Sequence, residues 1–522
     1  MLFHEPAFLL AFLPACLLVF HVLRRYTFGG ALISLLAFSL LFYAWWKPAY
    51  LVLLIASIAF NYGAARLIIR SDGKARRNWL ILGVAFNLAL IGLFKYLPLI
   101  GETAGFVGGA FNIAAAGPPY SLPELILPIG ISFYTFQQIA FLADVHAGIA
   151  RLPPLRRYGL FVSFFPQLIA GPIVHHTEMM PQLRRENYSV DLTKVTEGMF
   201  FFAAGLFKKV VIADGIAVYA NRFFNLDLGE TAVSTADAWL GALAYSLQLY
   251  FDFSGYSDMA IGLALMFGVR LPINFASPYK ADSIIDFWRR WHITLSRFLR
   301  DYLYIPLGGN RRGRSRRYIN LFITMLLGGL WHGAGWTFVF WGGLHGLFLA
   351  LNHGWNTLLK GLGRKAVTDN AAGYWAGRLL TFAIVVIAWV PFRAESIAFS
   401  TAAWRAMFGL AGEDSGKALY AFDGGWPKPL EWLAAPVDFN LLTVPPVLWI
   451  FLALVIAWFA PNTQQFARWC GYRSDGAGRN GLSLASPLRS AVFVSAFALF
   501  VFAAASRLIN AGAKIEFLYF QF

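Results

Sequence analysis

The stretch Arg311-Arg-Gly-Arg-Ser-Arg-Arg317-Tyr-Ile-Asn320-Leu-Phe-Ile-Thr-Met-Leu-Leu-Gly328-Gly-Leu-Trp331-His332-Gly333-Ala-Gly335-Trp336 sets five arginines immediately before an apolar run. Membrane proteins gather Lys and Arg on cytoplasmic loops, so a cytoplasmic loop is expected at the arginines and a membrane helix after them. His332 stands 15 residues beyond Arg317. At about 1.5 Å per residue a straight helix lifts it roughly 22 Å, deep into a hydrocarbon core about 30 Å thick. The surrounding glycines let backbone or a ligand approach closely.

Moving outward, the whole stretch Leu249–Leu347 interleaves charge with Trp, Phe and Gly. It holds Tyr250-Phe-Asp252-Phe-Ser254-Gly-Tyr256-Ser-Asp258, then Asp286-Phe-Trp-Arg289-Arg290-Trp291-His292, Arg300-Asp301-Tyr302 and Gly308-Gly-Asn310-Arg311. A charged side chain at the bilayer centre costs about 2.5–3.5 kcal/mol on insertion scales. Several together must pair or line a wet cavity, and a functional site is the default expectation. An imidazole exchanges a proton near neutral pH, which makes His332 the first catalytic candidate; its bland alternative is a buried His satisfied by a backbone carbonyl. His292 is the second, as a tunnel-lining or orienting group, against a helix-packing alternative. His345 and His353 are expected to be structural, and His175 and His176 to sit at an interface.

The rest of the chain fixes the class. Of 522 residues 58% are hydrophobic and 13% charged, against about 25% charged in soluble domains. That excludes a string of soluble domains, a disordered chain and an ordinary secreted enzyme. We expect one all-α polytopic membrane domain over residues 1–522 with about 11 to 13 transmembrane helices, some tilted, broken or re-entrant. Pro6–Leu23, Ala31–Trp46, Leu51–Ile69, Trp79–Leu97 and Leu122–Val145 are the first five spans. Ala236–Phe251 and Ser257–Val269 read as two later ones. Phe161–Pro181, interrupted by Pro166, Gly171 and Pro172, reads as re-entrant or interfacial. Phe392–Thr443 reads as an external loop. Basic loops at Arg24–Arg25, Arg70–Arg77 and Arg151–Arg157 alternate with nearly uncharged ones, which puts the N-terminus outside. The net charge of +16 is then a topology signal, and no nucleic-acid partner is expected. No His-Glu-x-x-His or Cys/His cluster occurs, so no metal is expected. Walker, Rossmann and Gly-x-Ser-x-Gly motifs are also missing.

Six motifs, in order, resemble the membrane-bound O-acyltransferase family, and within it the bacterial branch that acetylates exopolysaccharides, typified by alginate O-acetylases. They are Leu127–Tyr134, Phe165–Pro172, Leu249–Asp258, Phe287–His292, Tyr302–Asn310 and Met325–Gly333. They span about residues 120–350, while residues 360–522 carry much less. The resemblance implies helices around a tunnel joining the two membrane faces in the bacterial inner membrane. His332 matches the family's essential histidine and His292 the other histidine of its pair. The implied reaction takes an acetyl group from a cytoplasmic thioester, acetyl-CoA, with no bound cofactor. A periplasmic SGNH-type (Ser-His-Asp) acetyltransferase partner then completes transfer to a polysaccharide such as alginate. Relatives acetylate peptidoglycan or cellulose, or export D-alanine.

On this reading Arg289 and Arg290 contact the donor phosphates. Asp252, Asp258, Asp286, Trp331 and Asn310 support the site. His332 is a general base or an acyl carrier. The rival readings are a transporter of an acylated or sugar substrate, which also needs intramembrane charge, and a non-catalytic export scaffold.

Overall fold

The computed structural model describes residues 1–97, 99–101, 103, 127–185, 188, 190–228, 231, 233–362, 370–411, 419–420, 446–471, 487–510 and 518. Among them every regular element is a helix and no strand occurs, so the all-α expectation is borne out. Among the described residues five helices are long and apolar enough to cross a bilayer: Phe8–Tyr26, Pro48–Arg70, Gly73–Tyr96, Ala371–Arg393 and Ala491–Leu508. The pair Val447–Phe459 and Thr463–Trp469, bent by 56°, adds a sixth if it is one broken span. The remaining expected spans on described residues are helical but shorter, as at Phe28–Ala44, or interrupted by polar and charged side chains.

One expectation is corrected. Ala236–Phe251 and Ser257–Val269 are not two helices, because Thr235–Met266 runs unbroken for 32 residues. Gly255 does not end it. A Cβ there would lie 2.8 Å from the Gly205 carbonyl oxygen, so this glycine serves close helix packing. Of the expected Phe392–Thr443 loop, Ile397–Met407 is a helix, and residues 412–418 and 421–443 lie outside the described ones. So do residues 122–126 of the fifth expected span, whose remainder forms the Ile131–His146 helix.

Two compact units emerge. The first comprises Met1–Met199 and Met259–Pro272. Its apolar packing centres on Phe3, Phe8, Phe12, Phe42 and Phe165, whose rings lie 5.1–6.5 Å apart where they meet. A few polar contacts join its helices: Asn61 and Asn87 exchange side-chain hydrogen bonds at 3.2 and 2.7 Å, and Gln138 donates to Ser57. Such bonds fix helix register where apolar contact alone is permissive. The Phe161–Pro181 segment is broken as expected, into Leu155–Ser163, Phe165–Leu168 and His176–Met179.

The second unit comprises Phe200–Asp258 and Ile273–Phe522. Here Arg314–His332 packs against Trp336–Gly361. A Cβ on Gly329 would collide with the Phe338 carbonyl, and one on Gly342 with the Met325 carbonyl. The glycines that the sequence places around His332 therefore bring two helix backbones together, and in doing so set the histidine's position.

Candidate active site

His332 is the last residue of the Arg314–His332 helix. Eighteen steps of about 1.5 Å place it roughly 27 Å from the helix start, so the arginines and the histidine occupy opposite ends of one rod. The side chain is buried in an aromatic cage. Its ring centroid lies 4.9 Å from Trp331, 5.3 Å from Trp341, 5.3 Å from Phe392 and 6.2 Å from His292. The two histidines, 40 residues apart in sequence, thus stand in one buried aromatic cluster, with Trp331 also 6.0 Å from His292.

His292 is wholly buried between the short helices Ile284–Arg290 and Ile293–Leu299. Its backbone is left-handed, φ 43° and ψ 53°, a conformation uncommon for a non-glycine residue. Such outliers cost of order 1–3 kcal/mol and cluster at functional sites. The break in the helix turns the imidazole inward, where Asn274 holds it. Asn274 Oδ1 accepts from the Thr294 backbone N–H at 3.3 Å and from the Thr294 hydroxyl at 2.9 Å. Because a backbone N–H can only donate, that atom is the amide oxygen. His292 Nδ1, 3.1 Å from the same oxygen, must therefore carry the proton. Its Nε2 is then a bare acceptor, buried and without a hydrogen-bond partner among the described residues. Asn274 is itself fixed: its amide donates to Ser257 at 3.3 Å, and its carbonyl accepts from the Ile293 N–H at 2.9 Å.

Asn274 was not legible as a site residue. It sits in a non-helical stretch, Leu271-Pro-Ile-Asn274-Phe, whose only signal is one amide among apolar neighbours. His345, expected to be structural, stands in the same aromatic assembly, 4.9 Å from Trp341, and accepts from Trp288 Nε1 at 3.3 Å. His353 accepts from Arg317 at 2.6 Å. His175 and His176 meet Asp144 within the first unit.

The aspartates take other partners. Asp258 pairs with Lys208 at 2.6 Å and accepts from Thr463 and Gln464. Asp252 pairs with Lys209 at 2.7 Å and accepts from the Leu518 N–H. Lys209 also pairs with Asp214 at 2.6 Å. Asp286 pairs with Arg290 at 2.7 Å. None of the three expected supporting carboxylates touches either histidine; the orienting group against His292 is an amide. Arg289 is exposed, and Asn310 is exposed in the turn before Arg311, so neither joins the buried histidine cluster. Because Lys209 is buried between two carboxylates, Lys209→Met should leave both unpaired. An unfolding titration of the purified protein should show a loss of about 3–5 kcal/mol; unchanged stability would mean that the pairings are not made.

Two imidazoles with ring centroids 6.2 Å apart can serve the proton transfers of one reaction. The comparisons agree with that chemistry. Residues 145–370 match the membrane-bound O-acyltransferase family. The chain is 44% identical over 441 residues to a peptidoglycan O-acetyltransferase of Helicobacter pylori, covering 79% of this chain and 80% of that one. It is 38% identical over 535 aligned residues to the "probable alginate O-acetylase AlgI" of Pseudomonas putida, covering all of both. Its identity to the protein of the same description in Pseudomonas aeruginosa is 44% over 416 residues, covering 78% and 75%. Likeness of this extent, with helices apolar enough to cross a bilayer, makes the chain a multi-pass membrane acyltransferase, and it belongs to the membrane-bound O-acyltransferase family.

Proposed function

We propose that the protein takes an acetyl group from cytoplasmic acetyl-CoA and passes it through the bacterial inner membrane for O-acetylation of an exopolysaccharide such as alginate. The observation that carries this reading is the pairing of His332 and His292, two buried imidazoles with ring centroids 6.2 Å apart. The relative aligned end to end with this chain supports the acceptor class. Peptidoglycan is the second reading, favoured by the Helicobacter pylori relative.

In the proposed step an accepting hydroxyl, on the polymer or on a periplasmic SGNH-type partner, enters from the outer face. His332 takes its proton as the oxygen attacks the thioester carbonyl. The carbon–sulfur bond breaks, and the proton returns to the departing thiolate, releasing CoA as the free thiol. His292, holding its own proton toward Asn274, offers Nε2 to orient the hydroxyl. Arg289 is exposed and available to a donor phosphate, whereas Arg290 is shared with Asp286.

Purified protein in lipid nanodiscs with its partner and acceptor should release free CoA from acetyl-CoA and acetylate the polymer. Transport of intact sugar without thioester consumption would reject the proposal. We further propose that Met1 lies in the periplasm, a reading supported by the alternation of basic with nearly uncharged loops. A phosphatase fused at Met1 is expected to be active, and an inactive fusion with an active cytoplasmic reporter would reverse the orientation.

A further inference from the structure

A second cluster of chemically active side chains lies within Met1–Met199. Asp144 sits in the last turn of the Ile131–His146 helix. His175 caps the short His176–Met179 helix, and His176 is its first residue. One ligand atom from each of the three comes within 4.8 Å of the others. His175 Nε2 is 2.7 Å from Asp144 Oδ2, and His176 Nδ1 is 3.4 Å from the same oxygen.

We propose that Asp144, His175 and His176 bind one zinc ion, with water as the fourth ligand. Neither the acyl-transfer reading nor the family comparison supplies this site. Two imidazoles and a carboxylate, with no soft thiolate, suit a borderline divalent ion such as Zn²⁺ better than Mg²⁺ or Ca²⁺, which require oxygen-rich shells.

Three features support it. First, the His176 ring is only 7% exposed, yet its Nδ1 makes no hydrogen bond among the described residues; it points at the carboxylate out of hydrogen-bonding alignment. A buried nitrogen without a partner is costly, and a metal bond would satisfy it. Second, the spacing fits. Tetrahedral zinc with bonds of about 2.0–2.1 Å separates neighbouring ligand atoms by about 3.4 Å, which is the distance from His176 Nδ1 to Asp144 Oδ2. The 2.7 Å contact of His175 is a hydrogen bond that opens by a fraction of an ångström as the ion takes Nε2 and the neutral ring carries its proton on Nδ1 instead.

Third, an outer shell is present. His175 Nδ1 accepts from the Thr177 N–H at 3.4 Å and lies 2.5 Å from the Thr177 hydroxyl; once Nε2 is coordinated, Nδ1 carries the ring proton and donates to that hydroxyl. The His175 backbone N–H donates to Glu178 at 3.0 Å, fixing the residue that carries the ligand. His175 is half-buried, which leaves an approach for the ion and its water. The ion would tie the broken Phe161–Pro181 segment to the Ile131–His146 helix, a structural role independent of thioester chemistry.

The test uses the full-length protein, stripped with a chelator in detergent and titrated with Co²⁺ as the probe. We expect one Co²⁺ per chain, a tetrahedral visible spectrum and displacement by Zn²⁺. Affinity should fall by more than about tenfold in His176→Gln and in Asp144→Asn, and about tenfold in the outer-shell variant Thr177→Val. Zn²⁺ should raise the melting temperature of the stripped wild type but not of His176→Gln. Wild-type protein that binds Co²⁺ no better than His176→Gln overturns the proposal, whether or not acetyl transfer is retained.

Discussion

His332→Ala should abolish measurable acetylation while the protein remains abundant and folded. General acid–base catalysis contributes about 10²–10⁴-fold, and transfer from acetyl-CoA is expected to fall by at least that factor. The burial and cage of His332 make a cavity the obvious competing cause, so His332→Gln provides the control. Gln fills much of the same volume and keeps hydrogen bonding but cannot act as a base. Both variants should therefore lose turnover alike, with an unchanged melting temperature for Gln. Recovery of activity in His332→Gln would show that the imidazole is a packing group. A hydroxylamine-sensitive acetyl label on His332, trapped before acceptor is added, would instead assign it as an acyl carrier.

The second large effect is expected at Asn274. Removing its amide in Asn274→Ala takes away the acceptor that keeps the proton on His292 Nδ1, and it releases the Thr294 hydroxyl as well. His292 is then free to take the other tautomer and rotate. Outer-shell partners of functional histidines are worth about 10–100-fold, and a loss of that size should appear in kcat with KM for acetyl-CoA little changed. Asn274→Asp keeps an acceptor at the same position and should retain far more activity than Asn274→Ala. Equal losses in the two variants, or a loss confined to KM, would mean that Asn274 only supports the fold. His292→Ala combined with Asn274→Ala should cost little more than His292→Ala alone, because the two residues act as a unit.

Much of the site could be read directly because its signals are local. Trp331-His332-Gly333 follows a run of arginines by a fixed helical distance, and a histidine in an apolar stretch is costly enough to mark itself. What could not be read were the partners. Asp252 and Asp258 stand in an aromatic stretch beside the histidine motifs, and proximity in sequence suggested that they orient an imidazole. In the fold they face Lys209 and Lys208. Those lysines lie earlier in the chain, in the segment Lys208–Ala213. Asn274 carried no periodic signal, and the ligand atoms of Asp144 and His175 are contributed from 31 residues apart. The same held for Gly255: a glycine between two apolar runs reads as a break, and only the carbonyl of Gly205 against it shows why it stays helical.

Composition and span length by themselves determined that this chain is an all-helical membrane protein, because transfer of apolar residues out of water depends on sums over local sequence. The order of the motifs determined its resemblance to an acyltransferase family. Tertiary structure alone decided which side chain holds His292, which cations neutralise the aspartates and which three residues meet at the Asp144 cluster. A hydrogen bond or an ion pair depends on ångström distances between atoms that the chain brings together only after helices pack, and no local pattern encodes them.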